Sequence, residues 1–198
     1  MKKVFLFLFL LFISIKSYSQ SYAEEISDFQ LEMNKEFADS TKSPLTTSDR
    51  LIFSSLNFFP IDSSFRILAR FIKTPYELPF AMKTTTTRAP MYRKYAEAYF
   101  LLNGIDCKLN IYQNIDLTKK PNYEDYLFLP FTDLTNGDES YGGGRYIDLK
   151  VSDSDTIIID FNKAYNPYCA YNHKYSCPIP PAENALSIEI KAGVKKYH

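Results

Sequence analysis

The chain has no tryptophan, only two histidines, three cysteines and six glycines, and its 23 basic residues are matched by 23 acidic ones. Balanced charge leaves no basic footprint for nucleic acid. With His173 and His198 as the only imidazoles, a cysteine nucleophile at Cys107 has no persuasive base. The longest apolar run, residues 4–15, has 12 residues, and a helix needs about 20 to cross roughly 30 Å of hydrocarbon. The glycine triplet at 142–144 runs into Arg145 and a strand pattern, not into the Gly-Lys-Ser/Thr and helix of a phosphate-binding loop. No repeat or low-complexity linker divides the chain, so one domain is expected.

What is present at the start is an export address. Lys2 and Lys3 precede the apolar run, and Ser17 and Ser19 are the small residues a secretory peptidase accepts. Cleavage between Ser19 and Gln20 removes residues 1–19 as a signal peptide and makes the protein secreted or periplasmic. No cysteine lies near the cut, which excludes the lipoprotein route. Removing 19 of 198 residues leaves 179, enough for a sizeable core. Lys2, Lys3 and Lys16 leave with the signal, giving 20 basic against 23 acidic residues, or −3. The mature domain, residues 20–198, has no membrane span. Aromatics make up 16 % of the chain, all Tyr and Phe. Tyrosine can bury its ring while its hydroxyl keeps a hydrogen-bond partner, which suits β-structure.

The hydrophobic period changes once. Ile26, Phe29, Met33 and Phe37 recur at three and four residues, which puts them on one helical face over 24–39. Ser48 and Asp49 are expected to cap a shorter helix over 50–57. Beyond Pro60 the period is two. Phe65, Ile67, Ala69 and Phe71 alternate with Arg66, Leu68 and Arg70, and Asn103-Gly104 joins 95–101 to Ile105, Cys107, Leu109 and Ile111 as a type I′ hairpin. Residues 126–131 follow, with Pro130 expected at an edge or strand end. Ile147, Leu149 and Val151 then oppose Asp148 and Lys150. The run 156–161 is the most continuously apolar and is predicted to be the central strand. Leu186, Ile188 and Ile190 alternate as a last strand. The expectation is a mainly β, α+β protein: an antiparallel barrel or sandwich of seven or eight strands behind N-terminal helices.

Several unusual words occur in order over the second half: Phe131-Thr132-Asp133-Leu134-Thr135-Asn136-Gly137, Tyr141-Gly-Gly-Gly-Arg145-Tyr146, the run from Asp160 to Tyr171, and Cys177 to Asn184 followed by Ala192-Gly193. With Asn57-Phe-Phe-Pro60 and the helical start, they resemble the bacterial and archaeal domain-of-unknown-function family 1684 over nearly all of the mature chain. The resemblance implies no activity. Two departures stand out: Ala185 where members often read Arg, and Val194 where they read Glu. Roles needing those charges are not carried here.

Residues 162–184 form a long irregular connection, which in a compact domain is either functional or tied down. A disulfide between Cys169 and Cys177 is the expected tie, since exported thiols meet oxidising conditions. So small a closed loop gives about 2.5 kcal/mol on the chain-entropy estimate. The alternative is Cys169, His173 and Cys177 as three zinc ligands, but no fourth is visible nearby, so no metal is assigned. Cys107 shares a face with Ile105, Leu109 and Ile111 and reads as a small buried hydrophobe.

Tyr141, Gly143 and Arg145 are candidates for ligand binding, because glycine amides and a guanidinium suit an anion. The alternative is a glycine-rich bend with Arg145 paired to a neighbouring acid. Tyr165 and Asn166 border the same region. Asp160 and Glu183 are the candidate acid/base pair, against a scaffold role for Asp160, Asn162 and Asn184 in satisfying loop amides. No cofactor is implied. Three functions follow: a small-ligand or glycan binding domain of the envelope, a hydrolase using Asp160 and Glu183, or a structural envelope component without a pocket. The partner is an unknown small molecule or envelope component. A bridged chain yields one titratable thiol after denaturation, and three would remove the bridge.

Overall fold

A computed structural model describes residues 21–197 of the protein; residues 1–20, which include the expected signal peptide, and His198 lie outside the described residues. Helix α1, residues 21–38, buries Ile26 and Phe37 and half-buries Phe29 and Met33, the face expected from their spacing. Phe37 meets Tyr171 edge-on at 4.8 Å between ring centroids. Helix α2, Thr47–Ile52, starts earlier than expected because Thr46, not Ser48 or Asp49, is its cap. The Thr46 hydroxyl accepts from the Asp49 amide at 3.1 Å and donates to the Asp49 carboxylate at 2.7 Å, which ties both ends of the first turn together.

Seven strands follow: β1 Arg66–Lys73, β2 Phe80–Ala81, β3 Met91–Leu102, β4 Ile105–Asn114, β5 Tyr126–Phe131, β6 Arg145–Lys150 and β7 Thr156–Asp160. They form one antiparallel sheet in the order β6-β5-β4-β3-β1-β7, with β2 added beside β3. The sheet curls into a half-barrel. The β3–β4 turn has positive φ at both Asn103 and Gly104, the backbone that a type I′ turn requires. Inside the curl, Ala69, Phe71, Leu109, Ile111, Leu127, Leu129, Phe131, Ile147 and Ile159 pack into one core, joined by Cys107 as the small hydrophobe its phase indicates.

One strand assignment changes. The run 156–161, expected at the centre, supplies the edge strand β7, Thr156–Asp160, and Ile158 is 46 % exposed. The strand covered on both faces is β5, between β4 and β6. Its Pro130 occupies the next-to-last position, where β4 and β5 draw apart. The Asn184 side chain fills that split: it accepts from the Asn110 amide at 2.9 Å and donates to the Asn110 carbonyl at 2.8 Å and the Pro130 carbonyl at 2.6 Å. A side-chain amide thus replaces ladder bonds that a proline-interrupted strand lacks.

The last expected strand is not a strand. Leu186, Ile188, Ile190 and Ala192 alternate inward as the pattern indicates, but most of their backbone bonds do not belong to a ladder. The Leu186 amide donates to the Thr132 carbonyl at 2.8 Å. Further on, the Ile190 amide donates to Asp133 Oδ1 at 3.1 Å, and Arg145 donates to the carbonyls of Ile190 and Ala192. Arg145 and Asp133 are themselves paired at 2.8 Å with both side chains fully buried. Two charged side chains therefore do the work of a neighbouring strand.

Removing one partner of a buried pair strands the other charge, a loss of about 3–5 kcal/mol. Asp133→Ala should accordingly lower unfolding stability by about that amount in urea titrations, whereas Glu183→Ala at an exposed position should stay within about 0.5 kcal/mol of the parent. Equal effects would remove the central role of the pair.

Candidate functional site

The outer face of the sheet is not a solvent face. Register pairs Tyr112 with Phe128, Phe128 with Asp148 and Pro130 with Tyr146, so the side chains facing away from the core on β4, β5 and β6 are mostly aromatic. Tyr92, Phe128, Tyr146 and Tyr165 run ring to ring across it, at 5.8, 4.7 and 5.8 Å between centroids. Tyr165 joins the free edge of β6 by reciprocal backbone bonds with Tyr146 at 2.9 and 3.0 Å. Over this face lie α1 and the segment 163–178, leaving an open cavity of about 510 Å³.

Phe29, Met33, Glu36 and Phe37 form the helical wall. The sheet supplies Tyr92, Tyr126, Tyr146 and Asp148; the irregular segment supplies Lys163, Tyr165, Asn166, Tyr168, Tyr175 and Cys177. Asp148 is solvent-accessible along the cavity yet crowded by rings. Tyr126 and Tyr165 both donate to its Oδ1, at 2.8 and 2.6 Å. Among the described residues nothing donates to Oδ2. Crowding raises the Asp148 carboxyl above the usual carboxylate range, and the bonds from Tyr165 and Tyr126 oppose that rise only in part. Burial also pushes the Tyr126, Tyr146 and Tyr165 phenols up, so they stay protonated donors at neutral pH.

Of the residues singled out from sequence, Tyr165 and Asn166 line this cavity and Cys177 is part of its wall. Arg145 does not border it. Its guanidinium lies in the core beside the Phe131 and Phe59 rings, so it cannot clamp an anion together with the exposed Gly143, and the alternative of a structural ion pair is the one observed. Gly144 is needed for shape: its φ is +88°, and a Cβ there would sit 2.6 Å from the Phe131 carbonyl. Tyr141 turns towards Cys169, its hydroxyl 3.9 Å from Sγ.

Asp160 and Glu183 are not brought together. Asp160 accepts from Tyr22 at 3.0 and 3.1 Å and from the Asn162 amide at 3.0 Å, capping the turn Phe161–Lys163 and docking α1. Glu183 is exposed and shares no partner with it.

Cys169 and Cys177 are close but unbonded. Both are free thiols, with the Cys169 amide donating to Cys177 Sγ at 3.2 Å. The expected bridge is thus not formed in this structure, and the tie is made differently. Cys177 exchanges bonds with Thr85, its carbonyl accepting at 2.9 Å and its amide donating at 3.1 Å. Ile179 donates to the Lys83 carbonyl at 2.8 Å, and Arg88 reaches the Ser176 carbonyl at 2.8 Å. The threonine-rich stretch anchors the proline-rich one. His173 is exposed, and among the described residues no three His, Cys, Asp or Glu side chains gather to hold a metal, so the three-ligand zinc alternative lacks its geometry.

Asp148, Tyr126 and Tyr92 did not stand out in the sequence. Asp148 alternates with core residues exactly as a solvated carboxylate does; the one available signal was its phase with Tyr146.

The family described as "Protein of unknown function (DUF1684)" matches residues 52–195. Among solved structures, the solution NMR structure of an uncharacterised protein from gene locus rrnAC0354 of Haloarcula marismortui is 30 % identical, over 90 % of this chain and 96 % of that one, with a TM-score of 0.70. No curated protein matches.

The raised Asp148 carboxyl has a stability consequence of definite sign. Folding favours its neutral form, so that contribution is complete below the unfolded carboxylate range and is lost as pH rises through the higher folded value. Asp148→Asn keeps an acceptor for both phenols without the charge. It should melt above the parent at pH 7, with the gap closing on acidification below the ordinary aspartate range. A gap that widens in acid would reverse the assignment.

Proposed function

We propose, from the premise that the chain belongs to the DUF1684 family of proteins of unknown function, that it is an exported domain binding a small organic ligand. The observation that carries this reading is the cavity of about 510 Å³ lined by six tyrosines, with the accessible carboxylate of Asp148 among them and Glu36 on the helical wall. Concave sites with aromatic walls and a few convergent polar groups are what small-molecule binding requires. Tyrosine and phenylalanine offer large rigid contact area at small entropic cost. The exported character rests on residues 1–19, with Lys2 and Lys3, a short apolar run and Ser17 and Ser19 before Gln20.

The hydrolase reading needs two carboxylates about 5–10 Å apart across one cleft, and Asp160 is already committed to Tyr22 and Asn162. A purely structural component has no use for an open aromatic hollow.

The test is ligand-observed and protein-observed NMR on the mature chain, using a set of ring-sized amphipathic compounds. Binders should move the ring signals of Tyr92, Tyr165 and Tyr168 and leave those of Tyr76, which is 94 % exposed, unmoved. Tyr168→Ala, removing a partly exposed wall ring, should weaken a binder about tenfold. Uniform movement of all tyrosines, or none with any compound, would defeat the reading.

A further inference from the structure

The cavity's charges are unequally matched. Lys163, the only basic side chain in its lining among the described residues, is bonded to Glu25 at 2.6 Å and lies 5.9 Å from the centroid of the Phe29 ring. Its charge is therefore answered by an acid outside the cavity lining. Glu36 at the mouth meets Lys42 at 3.9 Å, with both side chains more than half exposed, an arrangement worth little in water. Among the described residues Asp148 has no basic partner: both bonds to it come from neutral phenols, and both end on Oδ1. What is left is an accessible carboxylate in the cavity lining whose Oδ2 receives no donor among the described residues, in company with the electron-rich rings of Tyr92, Tyr126, Tyr146, Tyr165, Tyr168 and Tyr175.

From this we infer that the site takes an organic cation, an alkylated ammonium head group seated among the tyrosines with Asp148 Oδ2 as its counter-charge. The inference rests on the ligand-binding reading and names the chemistry that would be bound. Aromatic faces attract cations through the ring quadrupole, by up to about 2 kcal/mol where water is excluded, and aromatic cages are the established way of holding quaternary ammonium groups. A weakly hydrated alkylammonium loses little on leaving water and regains a full counter-ion. An anion would meet Asp148 and Glu36 with Lys163 already engaged. A neutral sugar or alcohol can stack on the same rings and bond to Oδ2, but it gives the carboxylate no charge compensation.

The test uses choline and its neutral isostere 3,3-dimethylbutan-1-ol as probes, titrated into the mature full-length domain and followed by tyrosine ring signals and calorimetry. Choline should bind about tenfold more tightly than the isostere, a difference of about 1.4 kcal/mol. In Asp148→Asn that ratio should fall severalfold, the rings keeping a residual preference, with isostere binding retained. Tyr168→Leu, keeping apolar bulk without a π face, should lower choline affinity more than isostere affinity. Thermal unfolding establishes that both variants are folded before either is scored.

Equal binding of the two probes by the parent, or an undiminished ratio in Asp148→Asn, overturns the cation inference and leaves the ligand-binding reading standing. Absence of any response to either probe also overturns it. The compound-set experiment then decides the ligand-binding reading separately.

Discussion

The buried pair of Arg145 and Asp133 is the point through which the rest of the fold is connected. Asp133 follows β5, Arg145 opens β6, and the carbonyls that Arg145 holds belong to the C-terminal segment. Asp133 also accepts from Thr135 and Ile190, so one carboxylate organises both a turn and a crossing chain. Isolated charges in a core are costly. Here the cost is offset by hydrogen bonds to the turn at Thr135 and to the C-terminal segment at Ile190 and Ala192, and by the Phe131 and Phe59 rings beside the guanidinium. Backbone bonds from Thr132 and Leu134 hold the C-terminal segment as far as Ile188; the charged pair carries it on through Ile190 and Ala192.

Much of the architecture was legible because it is periodic. The helix face at Ile26, Phe29, Met33 and Phe37, the Asn103-Gly104 hairpin and the alternation in β1 and β6 all follow from local spacing. What was misread depends on partners distant in sequence. A continuous apolar run looks central, yet the edge strand β7 leaves Ile158 partly exposed, whereas β5 has a second apolar face because tyrosines far along the chain cover it. The alternation at 186–192 correctly marks which side chains go inward. It carries no information about whether their backbone meets a strand or a pair of charged side chains.

The site was legible only in part, for a related reason. Tyr165 and Asn166 drew attention because they sit in a long irregular segment, and that segment does form one wall. Arg145 drew attention because glycine amides and a guanidinium suit an anion, but its phase with Ile147 and Leu149 points it into the core. Asp148 has the opposite phase, which in most antiparallel sheets is the solvent phase. Only the tyrosines that close over it make it a feature. Likewise, two cysteines in a proline-rich loop suggest a covalent tie, while the threonines that hold the loop lie some ninety residues earlier.

Those distances also set when the cavity exists. Its walls come from α1 near one end, from β5 and β6, and from the segment ending at Pro178 near the other, with Tyr22 fastened to Asp160 across 138 residues. Contacts so far apart along the chain form late, because loop-closure entropy must be met before they contribute. The hollow is therefore a property of the completed fold and of no fragment of it. A molecule seated there would bridge the first and last parts of the chain, slow their separation, and make occupancy readable as resistance to unfolding.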